Sequence, residues 1–457
     1  MAFPPARPKD DFAQAANNWD LDKLYTDMAN AKQKIAGHKR SGLTKTEKLH
    51  LRGFLLGYSP EEIAGKLDKI ARGVDSELSK TLYRYVEALT NRSPGTIENW
   101  RDVIHWLRAA GYEKATTAKP RQYWDEIPDL TVFYGRTDEL TTLEQWIVAD
   151  NCRLVTLLGM GGIGKTALAV KLAERVKDKF DYVIWRSLRN APPLTEILAD
   201  LIQIFSGQQL SNLPEDADGR ISRFIEYLSQ HRCIIILEDV QMVLSRGDLA
   251  GNYQLGYEQY GELFRRIGES RHQSCLLLTS WENPREISEL EGSTLPVRLF
   301  LLEGLGAAAG GILQEKGLSD SDKWSELINI YRGNPLALKI VATTIQDLFA
   351  GSVIEYLKHN TMFLGDFSYV LHEHFKRLSE LEKDIMFWLF AEKDPVSISK
   401  LRDRLSPEVS TSSLLYIIES VGRRSLIEKV KQDNELLFTL QPAIKRYVRD
   451  RYTCPIG

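Results

Sequence analysis

Gly159-Met160-Gly161-Gly162-Ile163-Gly164-Lys165-Thr166 decides how this chain is read. It fits the pattern G-x-x-x-x-G-K-[ST]. The apolar run Leu154-Val155-Thr156-Leu157-Leu158 precedes it, and the helical pattern Ala167-Leu168-Ala169-Val170-Lys171-Leu172 follows. A strand, a glycine-rich loop and a helix in that order form a phosphate cradle. The glycines let the backbone curl so that successive N–H groups point inward at phosphate oxygens. Lys165 reaches the outer phosphates as a mobile point charge, and the Thr166 hydroxyl is placed to ligate Mg2+. The binding set from this stretch is Gly159, Gly161, Gly162, Ile163, Gly164, Lys165, Thr166 and Ala167. A glycine-rich turn with a chance Lys-Thr would not need both flanks to agree.

Outward from the loop, four more runs are apolar enough to be strands: 182–186, 233–239, 275–280 and 297–302. Helical patterns separate them, so the expectation is an α/β domain over 132–302 with a five-stranded parallel sheet. Cys233-Ile234-Ile235-Ile236-Leu237 is continuously apolar, as a strand covered on both faces must be, and it ends in Glu238 and Asp239. Open α/β sheets hold their ligands at the carboxyl ends of strands. Lys165, Glu238 and Asp239 are therefore the candidate catalytic residues, with Thr166 and Glu238 as the candidate Mg2+ ligands, directly or through water.

The 457 residues suggest roughly two to four domains. Net charge is −3, which excludes a chain-wide polyanion binder. Residues 38–114 carry 14 Lys and Arg against 10 Asp and Glu, and residues 115–457 carry 40 against 47, so any basic face is confined to the N-terminal part. Cys152, Cys233, Cys275 and Cys454 show no C-x-x-C spacing and read as reduced thiols. No apolar stretch is long enough to span a bilayer, and MAFPPARPKDDF lacks a signal peptide's apolar core. The expectation is a cytoplasmic protein with no membrane partner.

Residues 1–38 read as a flexible or partly helical lead-in. Residues 39–112 read as a helical module. Thr44-Lys45-Thr46-Glu47 forms a capping box, Ser59 caps a short helix with Pro60 in its first turn, and helices are expected at 76–91 and 96–110. Ala64 between Ile63 and Leu67 suits the close helix crossing of a helix-turn-helix. In a DNA-binding use, 76–91 offers Ser79, Lys80, Tyr83 and Arg84, but Glu77 and Glu87 share that helix. Docking a protein partner is the other use. Residues 113–131, with Pro120 and Pro128, read as a linker, 303–365 as helical, and 366–453 as helices, a short hairpin and a last helix, the order of a winged-helix domain.

Taken in order, these motifs resemble the NB-ARC class of STAND ATPases, with an N-terminal helix-turn-helix module like those associated with von Willebrand A–MoxR systems. The resemblance covers about 130–453, and about 40–112 less specifically. It implies that Phe133-Tyr134-Gly135-Arg136 contacts adenine and that Pro335, in Gly333-Asn334-Pro335-Leu336, packs on the nucleotide. Three positions depart from the family. Glu238 stands where Asp is usual. Trp281 stands where an Arg senses the γ-phosphate, with Arg285 four residues on. Leu440-Gln441-Pro442 stands where a Met-His-Asp element contacts ADP, leaving Gln441 as a neutral donor. The implied function is a switch that binds ATP or ADP with Mg2+, hydrolyses ATP slowly, and in the ATP state self-associates or engages a protein through its N-terminal module. The family's usual repeat sensor after the winged helix is absent from the sequence, so sensing is expected from a partner or from a longer form. Two alternatives stay open: an ATP-responsive DNA-binding transcription regulator, and a nucleotide-binding scaffold without hydrolysis.

Overall fold

The computed structural model describes residues 12, 14–36, 42–67, 78, 81–97, 99–113, 121–124, 127, 128, 130, 132–206, 213–359, 361–404, 410–432 and 435–452. The chain divides into two compact units, Met1–Lys119 and Pro120–Gly457.

The first unit is helical. Its described helices are Ala15–Asn18, Leu21–Ala36, Lys45–Leu55, Pro60–Lys66, Leu82–Leu89 and Trp100–Ala109. Thr44 and Ser59 cap their helices as expected, each side-chain oxygen accepting from the third residue on while Glu47 and Glu62 reach back. Leu21–Ala36 lies in the stretch read as lead-in, yet it buries Leu24 and Met28 in the same core as Leu51, Phe54, Ile63 and Val86. Its Lys32 makes a buried ion pair with Glu47 at 2.8 Å. Its apolar residues Leu21, Leu24 and Met28 fall at helical spacing, which makes this the helical part of the lead-in. Ser79 and Lys80, and most of residues 68–80, lie outside the described residues. Tyr83, offered above as a DNA contact, packs inward beside Phe54, while Arg84 is exposed.

The second unit is built on one parallel sheet of six strands, one more than expected. The strands are β1 (Arg121–Trp124), β2 (Leu154–Leu158), β3 (Tyr182–Ser187), β4 (Cys233–Glu238), β5 (Cys275–Ser280) and β6 (Val297–Leu301), in spatial order β1-β3-β4-β5-β2-β6. The extra strand is β1, which pairs with β3 from Arg121↔Tyr182 to Trp124↔Trp185. It escapes a hydropathy reading because an edge strand is half solvated: Arg121 and Gln122 are exposed, and Arg121 donates to the Tyr182 hydroxyl. The inner strands are buried along their length. One face packs Leu157, Val183, Ile234 and Leu277 under Leu168 and Leu172 of helix Lys165–Val176. The other packs Ile184, Ile235 and Leu278 under helices Leu194–Ser206, Ala217–Gln230 and Gln259–Glu269. β5 thus lies between the strand that feeds the loop and the strand that ends in the acids.

Beyond β6 come helices Gly310–Glu315, Trp324–Ile330, Pro335–Phe349 and Val353–Lys358, then Phe367–Lys376, Glu380–Ala391, Ile398–Arg404 and Thr411–Arg423. The hairpin β7 (Ile427–Gln432) and β8 (Glu435–Leu440) and helix Pro442–Tyr452 follow. This C-terminal part shares one continuous core, which Met160 of the loop enters. Cys152, Cys233 and Cys275 are free and buried; Cys454 lies outside the described residues. No described helix is long and apolar enough to cross a membrane.

Burial pushes the His272 imidazole down to about 4. The unfolded chain then binds a proton near pH 6.5 that the folded chain refuses. This contribution to stability is whole above pH 6.5 and is lost as pH falls towards 4. Urea unfolding at pH 7.5 and pH 4.5 should show a smaller acid loss in His272→Gln than in the parent.

Candidate functional site

The loop leaves β2, second from one edge of the sheet, and turns into helix Lys165–Val176. Gly162 and Gly164 carry φ of +77° and +101°, values that side chains rarely adopt. Gly164 caps the helix, so the first-turn N–H groups face the loop. Lys165 is 8 % exposed and its Nζ donates to the carbonyls of Gly159 at 2.8 Å and Met160 at 3.2 Å. Burial pulls its ammonium down to about 7, against the opposing pull of Asp239 and Glu238. An ammonium held this way gains from any anion brought to it.

The acids lie where the sequence puts them. Thr166 Oγ1 donates to Glu238 Oε1 at 2.5 Å. Burial raises the Glu238 carboxyl above its ordinary range, with the Thr166 hydrogen bond opposing. Asp239 takes a left-handed backbone, φ +61°, which turns its carboxylate away from the strand line. Gln241 Nε2 donates to its Oδ1 at 2.8 Å, and its N–H donates to Thr279 Oγ1 of β5. A hydroxyl against a carboxylate is a hard-oxygen donor pair that fits Mg2+. Among the described residues no cluster of three or more His, Cys, Asp or Glu stands ready for a metal by itself, so further ligands would come from phosphate and water.

The loop is covered from the C-terminal part. Asn334 Nδ2 donates to the Gly161 carbonyl at 3.1 Å, its Oδ1 caps helix Pro335–Phe349, and the Leu336 N–H reaches the Gly162 carbonyl. Pro335 is the first residue of that helix, and its neighbours Asn334 and Leu336 make the hydrogen bonds to the loop. Asn334 was legible as an N-cap before a helix-opening proline. His374 was not. From helix Phe367–Lys376 its Nε2 accepts the Gly161 N–H at 3.0 Å, and its ring stacks on Trp281 with centroids 4.2 Å apart. Burial first, then Lys165, Arg377 and Arg424, hold the His374 imidazole well below its usual range. Nothing in the sequence marks this histidine among the eight. Gln441 is half-buried, and its side chain makes no hydrogen bond among the described residues. Arg285 pairs with the neighbouring Glu286 at 2.8 Å.

Next to Trp281 lies a buried charge network. Glu282 accepts from Arg377 and Arg424, and Arg424 Nε also donates to Glu382 at 3.0 Å. All four side chains are at most 4 % exposed. Arg377 further donates to the carbonyls of Leu244 and Ser245, and Ser420 Oγ bridges Glu382 and the Ala250 N–H. The ends of β4 and β5 are thereby tied to residues 377–424.

The Phe133-Tyr134-Gly135-Arg136 element runs beside the loop. Arg136 donates to the carbonyls of Ile163 at 3.1 Å and Glu303 at 2.7 Å and pairs with Glu139. Its guanidinium therefore braces the loop's back. Tyr134 hydrogen-bonds Glu315 and lies over Gly311, while Phe133 packs on the sheet's core.

Residues 136–245 match the NB-ARC domain. That stretch holds the loop, both acids and the brace just described, and the match supports a nucleotide-binding domain of the NB-ARC type on a P-loop α/β fold. An uncharacterized WD repeat-containing protein of Nostoc sp. is 44% identical over 373 residues, covering 77% of this chain and 29% of its own. The Arabidopsis thaliana disease resistance protein SUMM2 is 25% identical over 134 residues, covering 28% of this chain and 15% of its own. The chain thus spans less than a third of the length of either relative. A Walker-type ATPase of Pyrococcus abyssi superposes over 73% of this chain and 99% of its own, at 15% identity and a TM-score of 0.44.

Replacing Glu282 by Ala should destabilise the second unit by about 3–5 kcal/mol, because two buried guanidiniums lose a shared partner. Denaturant unfolding followed by tryptophan emission measures this; a loss under about 1 kcal/mol would mean the network is solvated.

Proposed function

We propose that this protein is a nucleotide-controlled switch of the STAND type, holding ATP or ADP with Mg2+ on the loop Gly159–Thr166. The observation that carries the proposal is the Lys165 ammonium buried in its own loop with the Thr166 hydroxyl fixed on Glu238, 2.5 Å away, at the carboxyl edge of a parallel sheet. Loop N–H groups and Lys165 bind the phosphates, while Thr166 and Glu238 hold Mg2+, which when bound neutralises phosphate charge. Asp239 orients the attacking water. Turnover is slow, because Trp281 brings no charge to the transferring phosphoryl group.

A switch rather than a motor is supported by what covers the loop. Asn334 and His374 belong to residues 303–365 and 366–452, so occupancy of the loop is coupled to where those segments lie. In this reading 366–453 act as a winged-helix domain and 39–112 as a helix-turn-helix output module that docks a protein. The ATP state opens and self-associates in the cytoplasm. Sensing falls to a repeat array of the kind named in the Nostoc relative, in cis or in trans.

A ligand bound at about a hundred times its Kd stabilises the folded state by about 2.7 kcal/mol. MgATP and MgADP should each raise the melting temperature of the parent, and neither should raise that of Lys165→Ala. A full rise in Lys165→Ala would remove the loop assignment. Phosphate release should be measurable but slow in the parent and absent in Asp239→Asn; equal rates would take Asp239 out of the mechanism.

A further inference from the structure

We propose that a cleft of about 850 Å3 between helices Trp324–Ile330 and Pro442–Tyr452 binds a small organic phosphate, a flat apolar body carrying at least two negative charges, and that the bound anion holds those two helices together. The site stands independently of the nucleotide reading, and only its effect on nucleotide release rests on it.

No residue placed at the phosphate loop lines this cleft. One wall is the helix Pro442–Tyr452, which presents Pro442, Lys445, Arg446 and Arg449 along one face at helical spacing. Its other face, with Ala443, Ile444, Tyr447 and Val448, is buried in the core. A basic stripe of this kind usually faces water. Here it faces Ile330, Leu357, Met362 and Phe390, apolar side chains half-buried against that core. Lys393, just past helix Glu380–Ala391, adds a further cation. The volume falls within the range of small-molecule sites, roughly 300–1,000 Å3, and the combination of an apolar floor with a few polar groups is theirs too.

The charges select an anion. Four cations line the cleft against two acids, Glu326 and Glu392. Both acids are taken by cations from outside it: Glu392 by Lys400 at 2.6 Å and Arg404 at 3.2 Å, Glu326 by Lys323 at 3.7 Å. Arg446 pairs with Asp450 at 2.6 Å and donates to Thr361 Oγ1 at 3.1 Å, and Arg449 lies 3.7 Å from Asp450. The ammonium groups of Lys393 and Lys445 make no ion pair or hydrogen bond among the described residues. Lys445 is half-buried, where water screens a counter-charge less than at an open surface. A phosphate dianion answers that charge, and a flat body covers the apolar floor. One wall belongs to residues 303–365 and the other to 366–452, the segments that bring Asn334 and His374 to the loop. A ligand touching both walls favours the arrangement present by its differential affinity. It therefore keeps both covers on the loop and slows the release of a nucleotide bound there.

The test titrates pyranine, an aromatic trisulfonate, into the full chain carrying Lys165→Ala, so that the phosphate loop does not compete, and reads fluorescence anisotropy. Saturable binding that 1-naphthyl phosphate displaces is expected. Adding Lys393→Gln with Lys445→Gln should weaken binding at least about tenfold, because two charge-assisted contacts are lost. Removing the same two charges at exposed Lys179 and Lys429 should change it less than about twofold, because exposed charges act weakly at a distance. Met362→Glu, which puts a carboxylate on the floor, should abolish binding. No saturable binding, displacement by inorganic phosphate as effective as by 1-naphthyl phosphate, equal losses in the two double variants, or full binding in Met362→Glu overturns the site. In the parent loaded with labelled ADP and Mg2+, saturating 1-naphthyl phosphate should slow ADP release at least about fivefold, and Lys393→Gln with Lys445→Gln should remove that effect. Unchanged or faster release overturns the effect on the switch. A parent that binds pyranine but no labelled ADP removes the nucleotide reading, and the effect on release with it, and supports the site.

Discussion

Glu282, Arg377, Arg424 and Glu382 hold the second unit in one arrangement. Four charges at most 4 % exposed are costly to bury, and each is tolerated because the others and three backbone carbonyls satisfy it. Such a network favours geometry more than stability. Its members come from the end of β5, the end of helix Phe367–Lys376, the first turn of Glu380–Ala391 and the end of Thr411–Arg423. In the arrangement present every one of these charges is paired. That placement brings His374 onto Gly161 and Trp281 onto His374.

The phosphate loop is correspondingly self-contained. Lys165 turns back to the carbonyls of Gly159 and Met160, Thr166 is engaged by Glu238, and Asn334 takes the Gly161 carbonyl. The Lys165 ammonium and the Thr166 hydroxyl are each held by a group of the protein itself. A site whose lysine and hydroxyl are partnered internally by exchangeable groups is suited to two states. The departure at Trp281 fits this economy. An arginine there would add a third cation beside Arg377 and Arg424, whereas an indole supplies a flat apolar face for the neutral imidazole.

Much of this was legible in local sequence. The loop, the buried strands β2, β4 and β5, the acids at 238 and 239, the caps at Thr44 and Ser59, and the hairpin near 427–440 each follow from pattern and residue chemistry within a few positions. Residues 121–124 were harder, because an edge strand shows little of the apolar period that marks a buried element. Gln441 was reached by alignment of a motif, whereas His374, which meets the loop alongside Asn334 and Leu336, has no local signal.

The amino-acid sequence by itself determined that a phosphate cradle follows a buried strand, because glycines, a lysine and a hydroxyl at fixed spacing have few other uses. It determined the parallel α/β layering as well, through strands apolar on both faces. Only the tertiary structure decided what meets that cradle. His374 lies 213 residues from Gly161, and Glu282 lies 95 and 142 residues from its two arginines. Contacts of that span depend on how whole segments pack, and no local pattern of a lone histidine or glutamate records them.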